Sequence, residues 1–215
     1  DLSNEEIIKR LRKSKKRPLL FKNNLVETIN KIYLERKKTY SEASFRIRCN
    51  SLKPEDIVFM GLNEDEKNHT TNKPSSEWRF HRDIYRNKKE AHAIVHAHSP
   101  HATAVSSHGK PIPPFHYMIA LAGGDDIKCA EYATFGTEEL SKNVIKALEN
   151  RSACLMSNHG QVAFGKNLED AFELAQEIEN ICHQYTIALK LGQPKILSFE
   201  EMKKVLDKAK NYKKG

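Results

Sequence analysis

A chain of 215 residues, 39% of them hydrophobic, is long enough to bury one sizeable core and has the composition of a folded globular protein. Lys and Arg outnumber Asp and Glu by 36 to 28, and the basic excess is concentrated in residues 9–17 and 203–214. No apolar run approaches the roughly 20 residues of a membrane span, and residues 1–18 lack a signal-peptide core. We therefore predict one domain over residues 1–215, with no membrane as a partner.

The two basic clusters allow two interpretations. Nucleic-acid binding is one of them, but neither cluster interleaves aromatic side chains that would stack on bases. Solvated helix faces, or a positive field that attracts anionic substrates, are therefore favoured over a nucleic-acid partner.

The cysteines are widely spaced without a Cys-x-x-Cys pair, which indicates reduced thiols in a cytoplasmic protein; they are Cys49, Cys129, Cys154 and Cys182.

The first part of the chain is predicted to alternate helices and strands. Periodicity predicts helices at 3–12 and 22–36, strands at 44–48 and 56–60, and a polar loop at 62–74. Pro74, Ser75 and Ser76 then predict a helix to about Asn87 with a serine at its cap.

The alternation continues from residue 93 onward. Strands are predicted at 93–98, 153–157 and 161–165, and an apolar segment at 118–124 ends in a glycine turn. Helices are predicted to begin at Ser99 with Pro100 next to it, at Thr137, at Asn167, and at Ser198 with Glu201. The longest helix ends near Gly192, and its apolar stripe comprises Phe172, Leu174, Ala175, Ile178, Ile181, Cys182, Tyr185 and Leu189. Interleaved helices and strands predict one sheet covered by helices on both faces.

His96 and His98 lie two residues apart on a predicted strand. Because side chains alternate along a strand, both imidazoles leave the same face and can reach one metal ion. Their apolar neighbours predict that the pair lies at a buried strand end. The pattern alone is a weak indication, because histidines also occur in ordinary cores and on surfaces.

His159 strengthens the metal hypothesis. It lies between Asn158 and Gly160 in a turn that joins two predicted strands, and such loops commonly carry functional groups. Three neutral histidines with an open fourth position are typical of a catalytic zinc site. The alternative is a turn histidine that bonds its own backbone.

Other histidines compete for the same role. His92 shares strand parity with His96, and His81 follows Glu77 by four residues on one helix face. The remaining ones are expected to be surface or packing residues, namely His69, His101, His108, His116 and His183.

Glu77 is predicted in the first turn of its helix, where the helix dipole favours a carboxylate. It could serve there only as a cap, or it could be a zinc ligand or a base. The free N–H groups of the same helix, with the hydroxyls of Ser75 and Ser76, would form an anion site. A phosphate beside a zinc ion suits a sugar-phosphate substrate.

The segments that carry these residues resemble a known family. They are KPSSEWRFHRDIYRN from Lys73, IVHAHSPHATAVS from Ile94, PIPPFHYMIALAGG from Pro111, CAEYATFGTEELS from Cys129 and SNHGQVAFGKNLEDAFELAQEIE from Ser157. Together they resemble the class II aldolase/adducin family. The resemblance implies one three-layer α/β/α domain with a central, largely antiparallel mixed sheet, assembled as a homotetramer with active sites between subunits.

The resemblance also implies a reaction. The family's aldolases cleave a ketose 1-phosphate, such as L-fuculose 1-phosphate, reversibly into dihydroxyacetone phosphate and an aldehyde such as lactaldehyde. Zinc, one ion per subunit, acts as the Lewis acid, although three histidines also suit cobalt or manganese. His96, His98 and His159 match the family's zinc ligands. Glu77 matches a glutamate that binds zinc in the empty site and moves away to act as the base.

Further residues are assigned from the same resemblance. Tyr117 matches a catalytic tyrosine that the neighbouring subunit donates, and Tyr212 matches a catalytic tyrosine on a mobile C-terminal tail. Substrate-binding positions are matched by Ser75 and Ser76 for the phosphate, by Ser44 in place of the family's asparagine, and by Phe135 on the aldehyde side.

One departure from the family bears on phosphate binding. A Thr-Pro-Thr-Gly loop that grips phosphate in the family is missing around Cys49 and Asn50. Either the protein has lost half of this grip, or the sequence as given omits the loop. The intact remainder of the motifs favours omission.

Three alternative functions are weighed. Sugar-phosphate 4-epimerases of the family usually carry aspartate at the position of Glu77, so the glutamate favours an aldolase. A methylthioribulose-1-phosphate dehydratase also uses a glutamate with zinc, and product analysis separates it from an aldolase. A non-catalytic adducin-like interaction module would lack the complete histidine set that this sequence keeps.

Overall fold

The computed structural model describes residues 58–63 and 74–212, with side chains up to residue 209. The chain divides into two compact units, Asp1–Phe59 with His69–Asn72 and Met60–Asn68 with Lys73–Gly215, and nearly all described residues belong to the second. The predicted helices 3–12 and 22–36, strand 44–48, and most of loop 62–74 lie outside the described residues. Of the predicted strand 56–60, residues 58–60 are described, and they show a single β-bridge at Met60 rather than a strand. The prediction of a single domain stays a prediction.

Four strands form one mixed sheet: β1 (Ala93–Ala97), β2 (Cys129–Ala130), β3 (Ala153–Met156) and β4 (Gly160–Gly165). Their order across the sheet is β1-β4-β3-β2. β4 is antiparallel to both of its neighbours, and β2 is parallel to β3. The three predicted strands are confirmed to within one residue, whereas β2, with only two residues, has no period that could reveal it.

Helices cover both faces of this sheet. They are α1 (Trp78–Asn87), α2 (Pro100–Ser106), α3 (Glu138–Ala147), α4 (Leu168–Leu191), α5 (Phe199–Tyr212) and a 3-10 helix (Tyr117–Ala122). Cys154 and Met156 of β3 face the core under α1 and α3, while Leu155 faces the core under α2, α4 and the 3-10 helix. The central strand is thus buried on both sides, and the three-layer α/β/α architecture is confirmed.

Most of the predicted helix caps are confirmed. The side chains of Thr137, Asn167 and Ser198 each accept a hydrogen bond from the backbone N–H three residues later, at 3.2, 2.8 and 3.2 Å. Gly192 ends α4 with a φ of 125°, which a residue with a side chain rarely adopts. Ser99 occupies the N-cap of α2, but its hydroxyl makes no capping bond.

Two local predictions are wrong. The N-cap of α1 is Glu77 and not a serine. The Ser75 hydroxyl accepts from the Glu77 N–H at 3.3 Å and closes a local turn there, so the helix begins only after Glu77. Glu77 therefore lies just ahead of α1 rather than within its first turn. On α4, Phe172 and Leu189 are 53% and 42% exposed and do not belong to the buried stripe.

The described cysteines are free thiols, buried at Cys154 and Cys182 and half-buried at Cys129. Over the described residues, the model contains no helix with the length and apolar character that crossing a membrane requires.

Candidate metal centre and active site

Antiparallel pairing of β1 with β4 brings the histidines together. Ala97 at the end of β1 pairs with Gln161 at the start of β4, so His98, one residue further, lies beside the turn that carries His159. That turn is tight: the His159 N–H donates to the Met156 carbonyl at 3.0 Å, and Asn158 adopts a left-handed φ of 56°. The sheet register therefore creates the site.

The three imidazoles converge on one point. Their ring centroids are 4.8–5.0 Å apart, and each offers a nitrogen within 4.8 Å of the other two. Nε2 of His96 is 3.1 Å from Nε2 of His98. Nitrogen ligands at ~2.0–2.1 Å from a tetrahedral zinc ion are roughly 3.3 Å apart, so this geometry fits such an ion. The prediction that His96 and His98 leave the same face as a pair is confirmed.

A backbone carbonyl selects the ligand atom of His96. Its Nδ1 lies 2.8 Å from the Gln161 carbonyl oxygen, 65 residues away along the chain. A carbonyl only accepts, so Nδ1 carries the proton and Nε2 keeps the lone pair that a metal needs. No local pattern predicts this contact, because it arises from the β1–β4 register.

Burial favours the neutral form of His96 and His159. Burial lowers the pKa of His96 to about 4. The hydrogen bond to the Gln161 carbonyl opposes this effect, and the charges of the neighbouring imidazoles add to it. Burial and the charge of His98 also lower the pKa of His159. His98 itself is exposed, so the expectation that both strand histidines are buried is wrong for this residue. Neutral imidazoles are the form that binds a metal.

Glu77 is a buried carboxylate that interacts electrostatically with His98 but does not belong to the three-histidine group. Only 8% of it is exposed, and its Oε2 has no hydrogen-bond partner among the described residues. Burial raises its pKa, against weaker lowering by the Ser76 hydroxyl, 3.5 Å from Oε1, and by the charge of His98. Because the charge of His98 acts on this carboxylate, its buried and unpaired oxygen fits a cation bound at the histidines, since an unpaired buried carboxylate is otherwise costly.

The two serines lie at the entrance to α1. Ser75 and Ser76 are exposed immediately before Glu77. Gly136 approaches Ser76 so closely that a Cβ on it would lie 3.2 Å from the Ser76 carbonyl oxygen, and its φ is 75°. The neighbouring Phe135 is 66% exposed, so the loop with the predicted aldehyde-side residue lies against the serines.

The remaining predicted site residues are placed only in part. Tyr117 begins the 3-10 helix and is 55% exposed, with its ring 4.8 Å from that of His116. Tyr212 ends α5, but its side chain lies outside the described residues, as does Ser44 with the Cys49–Asn50 segment.

The competing histidines stay outside the cluster. His92 is exposed in the bend immediately before β1. His81 packs on Phe80 with centroids 4.7 Å apart and lies 6.4 Å from the His96 ring, and burial lowers its pKa to about 4. Within the part of the chain that the structure describes, the group able to hold a metal consists of His96, His98 and His159.

A model of the Class II Aldolase and Adducin N-terminal domain matches residues 36–186, more than half of the chain. The chain belongs to this family. A second model, of shikimate kinase, matches residues 1–66. Those residues contain one glycine, Gly61, and so lack the glycine-rich loop with which P-loop enzymes cradle phosphates.

Curated and solved relatives support the assignment. The chain is 45% identical over 166 residues to a 5-methylthioribulose-1-phosphate/5-deoxyribulose-1-phosphate aldolase of Rhodospirillum rubrum, covering 77% of this chain and 74% of the relative. It is 49% identical over 157 residues to an L-fuculose phosphate aldolase of Escherichia coli, covering 73% and 72%. A solved L-fuculose 1-phosphate aldolase superposes with a TM-score of 0.70 at 41% identity and 74% coverage of each chain.

The chain is therefore an enzyme of the lyase class, from a family whose aldolases act on small phosphorylated sugars. Class II aldolases depend on a metal ion, and the three-histidine cluster fits one. This sets aside the non-catalytic interaction module as the protein's function.

Proposed function

We propose that the protein is a zinc-dependent aldolase that reversibly cleaves a ketose 1-phosphate into dihydroxyacetone phosphate and an aldehyde. The observation that carries the proposal is the convergence of His96, His98 and His159 on one point. It is supported by the buried Glu77, which the charge of His98 affects and which keeps one carboxylate oxygen unpartnered among the described residues. Three histidines with an open position are the donor set of a catalytic zinc ion, and a fourth, carboxylate donor can fill that position until substrate arrives.

The metal ion, when bound, supplies Lewis-acid polarisation of the hydroxyketone oxygens of the substrate. In the condensation direction Glu77 is the base that removes a proton from the hydroxyl-bearing carbon next to the carbonyl of dihydroxyacetone phosphate. In the cleavage direction, after the aldehyde has left with its C–C bond broken, the same group returns that proton to the carbon. Burial raises the pKa of Glu77, which makes the carboxylate a stronger base than an exposed one. Tyr117 and Tyr212 are assigned, from the family resemblance, to exchange a proton with the aldehyde oxygen.

Phosphate binding is assigned to the start of α1. The Ser75 hydroxyl accepts from the Glu77 N–H, so its own proton stays free to donate to a phosphate oxygen. Ser76 is exposed next to it, and the positive end of α1 adds a favourable field. Ser44 is proposed to complete the site together with Phe135 on the aldehyde side.

The substrate class follows from the relatives. Their names specify L-fuculose phosphate and 5-methylthioribulose 1-phosphate or 5-deoxyribulose 1-phosphate. All are ketose 1-phosphates that differ in the part beyond the cleaved bond, so we propose L-fuculose 1-phosphate as the representative substrate, with lactaldehyde as its aldehyde product.

A homotetramer with Tyr117 acting in the neighbouring active site, and a cytoplasmic location, remain part of this proposal.

The test combines metal analysis with product analysis. The purified protein is assayed on L-fuculose 1-phosphate, 5-deoxyribulose 1-phosphate and 5-methylthioribulose 1-phosphate, before and after metal removal and after adding back zinc, cobalt or manganese. We expect dihydroxyacetone phosphate from at least one substrate, loss of activity on chelation, and recovery with zinc. Loss of water or epimerisation instead of cleavage would favour the dehydratase or the epimerase.

A further inference from the structure

The helix that follows the metal-binding strand lacks a cap of its own. Ser99 occupies the N-cap of α2, yet its side chain makes no capping hydrogen bond. The Ser99 hydroxyl instead accepts from Nε2 of Gln161 at 2.8 Å, and the same nitrogen donates to the Ala175 carbonyl at 3.0 Å. Gln161 is 1% exposed, so this contact fixes Ser99 from within the core.

A carboxylate from another helix takes the place of the cap. Glu179, in the middle of α4, accepts from the His101 N–H through Oε1 and from the Ala102 N–H through Oε2, both at 2.8 Å. Two short charge-assisted bonds at the positive end of a helix are strong for their kind. Glu179 therefore fixes the first turn of α2 in two places.

These contacts bracket a metal ligand. His98 follows the last residue of β1 and is exposed, so its position is not set by packing of its own side chain. On one side, Ala97 is held by pairing with Gln161, and on the other side Ser99 is held by the Gln161 side chain. Beyond Ser99, the two hydrogen bonds to Glu179 hold the backbone of the first turn of α2.

We propose that Glu179 is a positioning residue of the metal centre: it fixes the start of α2, and through this turn it sets where the His98 imidazole lies relative to His96 and His159. The inference rests on the proposed metal site. It assigns Glu179 no contact with metal or substrate.

The experiment compares Glu179→Gln and Glu179→Ala with the wild-type chain. Zinc affinity is measured by competition with a chromophoric chelator, and the visible absorption of the Co²⁺-loaded protein reports ligand geometry. The alanine variant is expected to bind zinc about 10-fold to 100-fold more weakly. This is the usual loss when a residue that orients a metal ligand, without binding the metal itself, is removed. The glutamine variant, with one acceptor oxygen for two N–H groups, should lie between, and both should show an altered Co²⁺ spectrum.

Glu173→Gln is the matched control, because Glu173 is exposed on the same helix, and it should leave zinc affinity and spectrum unchanged. The His101 and His183 rings stack with centroids 3.9 Å apart and tie α2 to α4, so the near-isosteric glutamine variant keeps these helices together. If the alanine variant does not fold, the zinc affinity and Co²⁺ spectrum of the glutamine variant alone test the inference. Wild-type zinc affinity and spectrum in Glu179→Gln and in any folded Glu179→Ala would overturn the inference. Absence of zinc binding by the wild type would instead overturn the metal site.

Discussion

Glu77 combines two requirements that oppose each other. Its carboxylate is buried with one oxygen unpartnered, which costs folding free energy, yet that same oxygen is the one free to bind a cation or take a proton. Active sites commonly concentrate such costly groups, because their perturbed pKa values suit the chemistry.

Replacing Glu77 by glutamine separates binding from proton transfer. We expect Glu77→Gln to retain zinc through the three histidines and to lose about 10²-fold to 10⁴-fold in kcat, the usual contribution of a general base. Zinc content and steady-state kinetics measure the two effects, with Glu173→Gln as control. A variant with full turnover would remove Glu77 from the role of base.

At the level of single residues, spacing predicted that His96 and His98 lie together but not which groups support them. The His-x-His spacing of His96 and His98 predicts a shared face from strand geometry alone, and the structure agrees. Gln161 and Glu179 gave no such signal. Their contacts join residues 65 and 78 positions apart, so they depend on register and on how helices pack.

At the level of elements, the junction of β1 and β4 decides how closely the ligands approach. A Cβ on Gly160 would lie 2.5 Å from the Ala97 carbonyl oxygen and 3.2 Å from Cδ2 of His98. Only a residue without a side chain allows the two strands to meet here.

We therefore expect Gly160→Ala to force the end of β1 outward and displace His98. Overpacking of this kind costs about 1–3 kcal/mol of stability, and zinc affinity should fall with it. Gly192→Ala is the control: its Cβ meets nothing within 4 Å, so only the strain of its φ remains and zinc affinity should not change. Thermal unfolding and chelator competition distinguish them, and wild-type zinc affinity in Gly160→Ala would contradict the steric argument.

Elements with local signals were predictable, and those that depend on distant contacts were not. Thr137, Asn167 and Ser198 begin helices because the cap and its target N–H are neighbours in sequence. The start of α1 was misplaced because Ser75 closes a turn with Glu77 first. Phe172 fits the helical period of α4, but no described element packs over it, and its side chain is exposed.

At the level of the whole molecule, the alternation of helices and strands was enough to predict two helical layers around one sheet. The mixed strand order was expected only from the family resemblance, since no periodicity shows that β2 is parallel to β3. The burial of His81 on α1 and of His96 on β1 also makes the stability of the molecule sensitive to pH.

Burial lowers the pKa values of His81 and His96 to about 4, whereas an imidazole in the unfolded chain titrates near 6.5. Between these values the unfolded chain binds protons that the folded chain does not, so the free energy of unfolding decreases as the pH falls. We expect the metal-free protein to lose up to about 1.4 kcal/mol per pH unit for each such histidine in this window.

Urea unfolding at several pH values between 7 and 4.5 measures this slope. His81→Phe should make the slope shallower, because it removes one titrating group and keeps an aromatic ring on Phe80, whereas His108→Phe, at an exposed position, should not. Equal slopes in the wild type and His81→Phe would contradict the assignment.

The most direct measurement is the zinc affinity of His159→Ala beside that of His108→Ala. His159 comes from a different turn than His96 and His98, so it tests whether distant parts of the chain share one ion. The account predicts one zinc ion per chain in the wild type and in the His108 variant. In the His159 variant it predicts at least about 100-fold weaker binding and loss of aldol cleavage. Wild-type affinity in His159→Ala would contradict it.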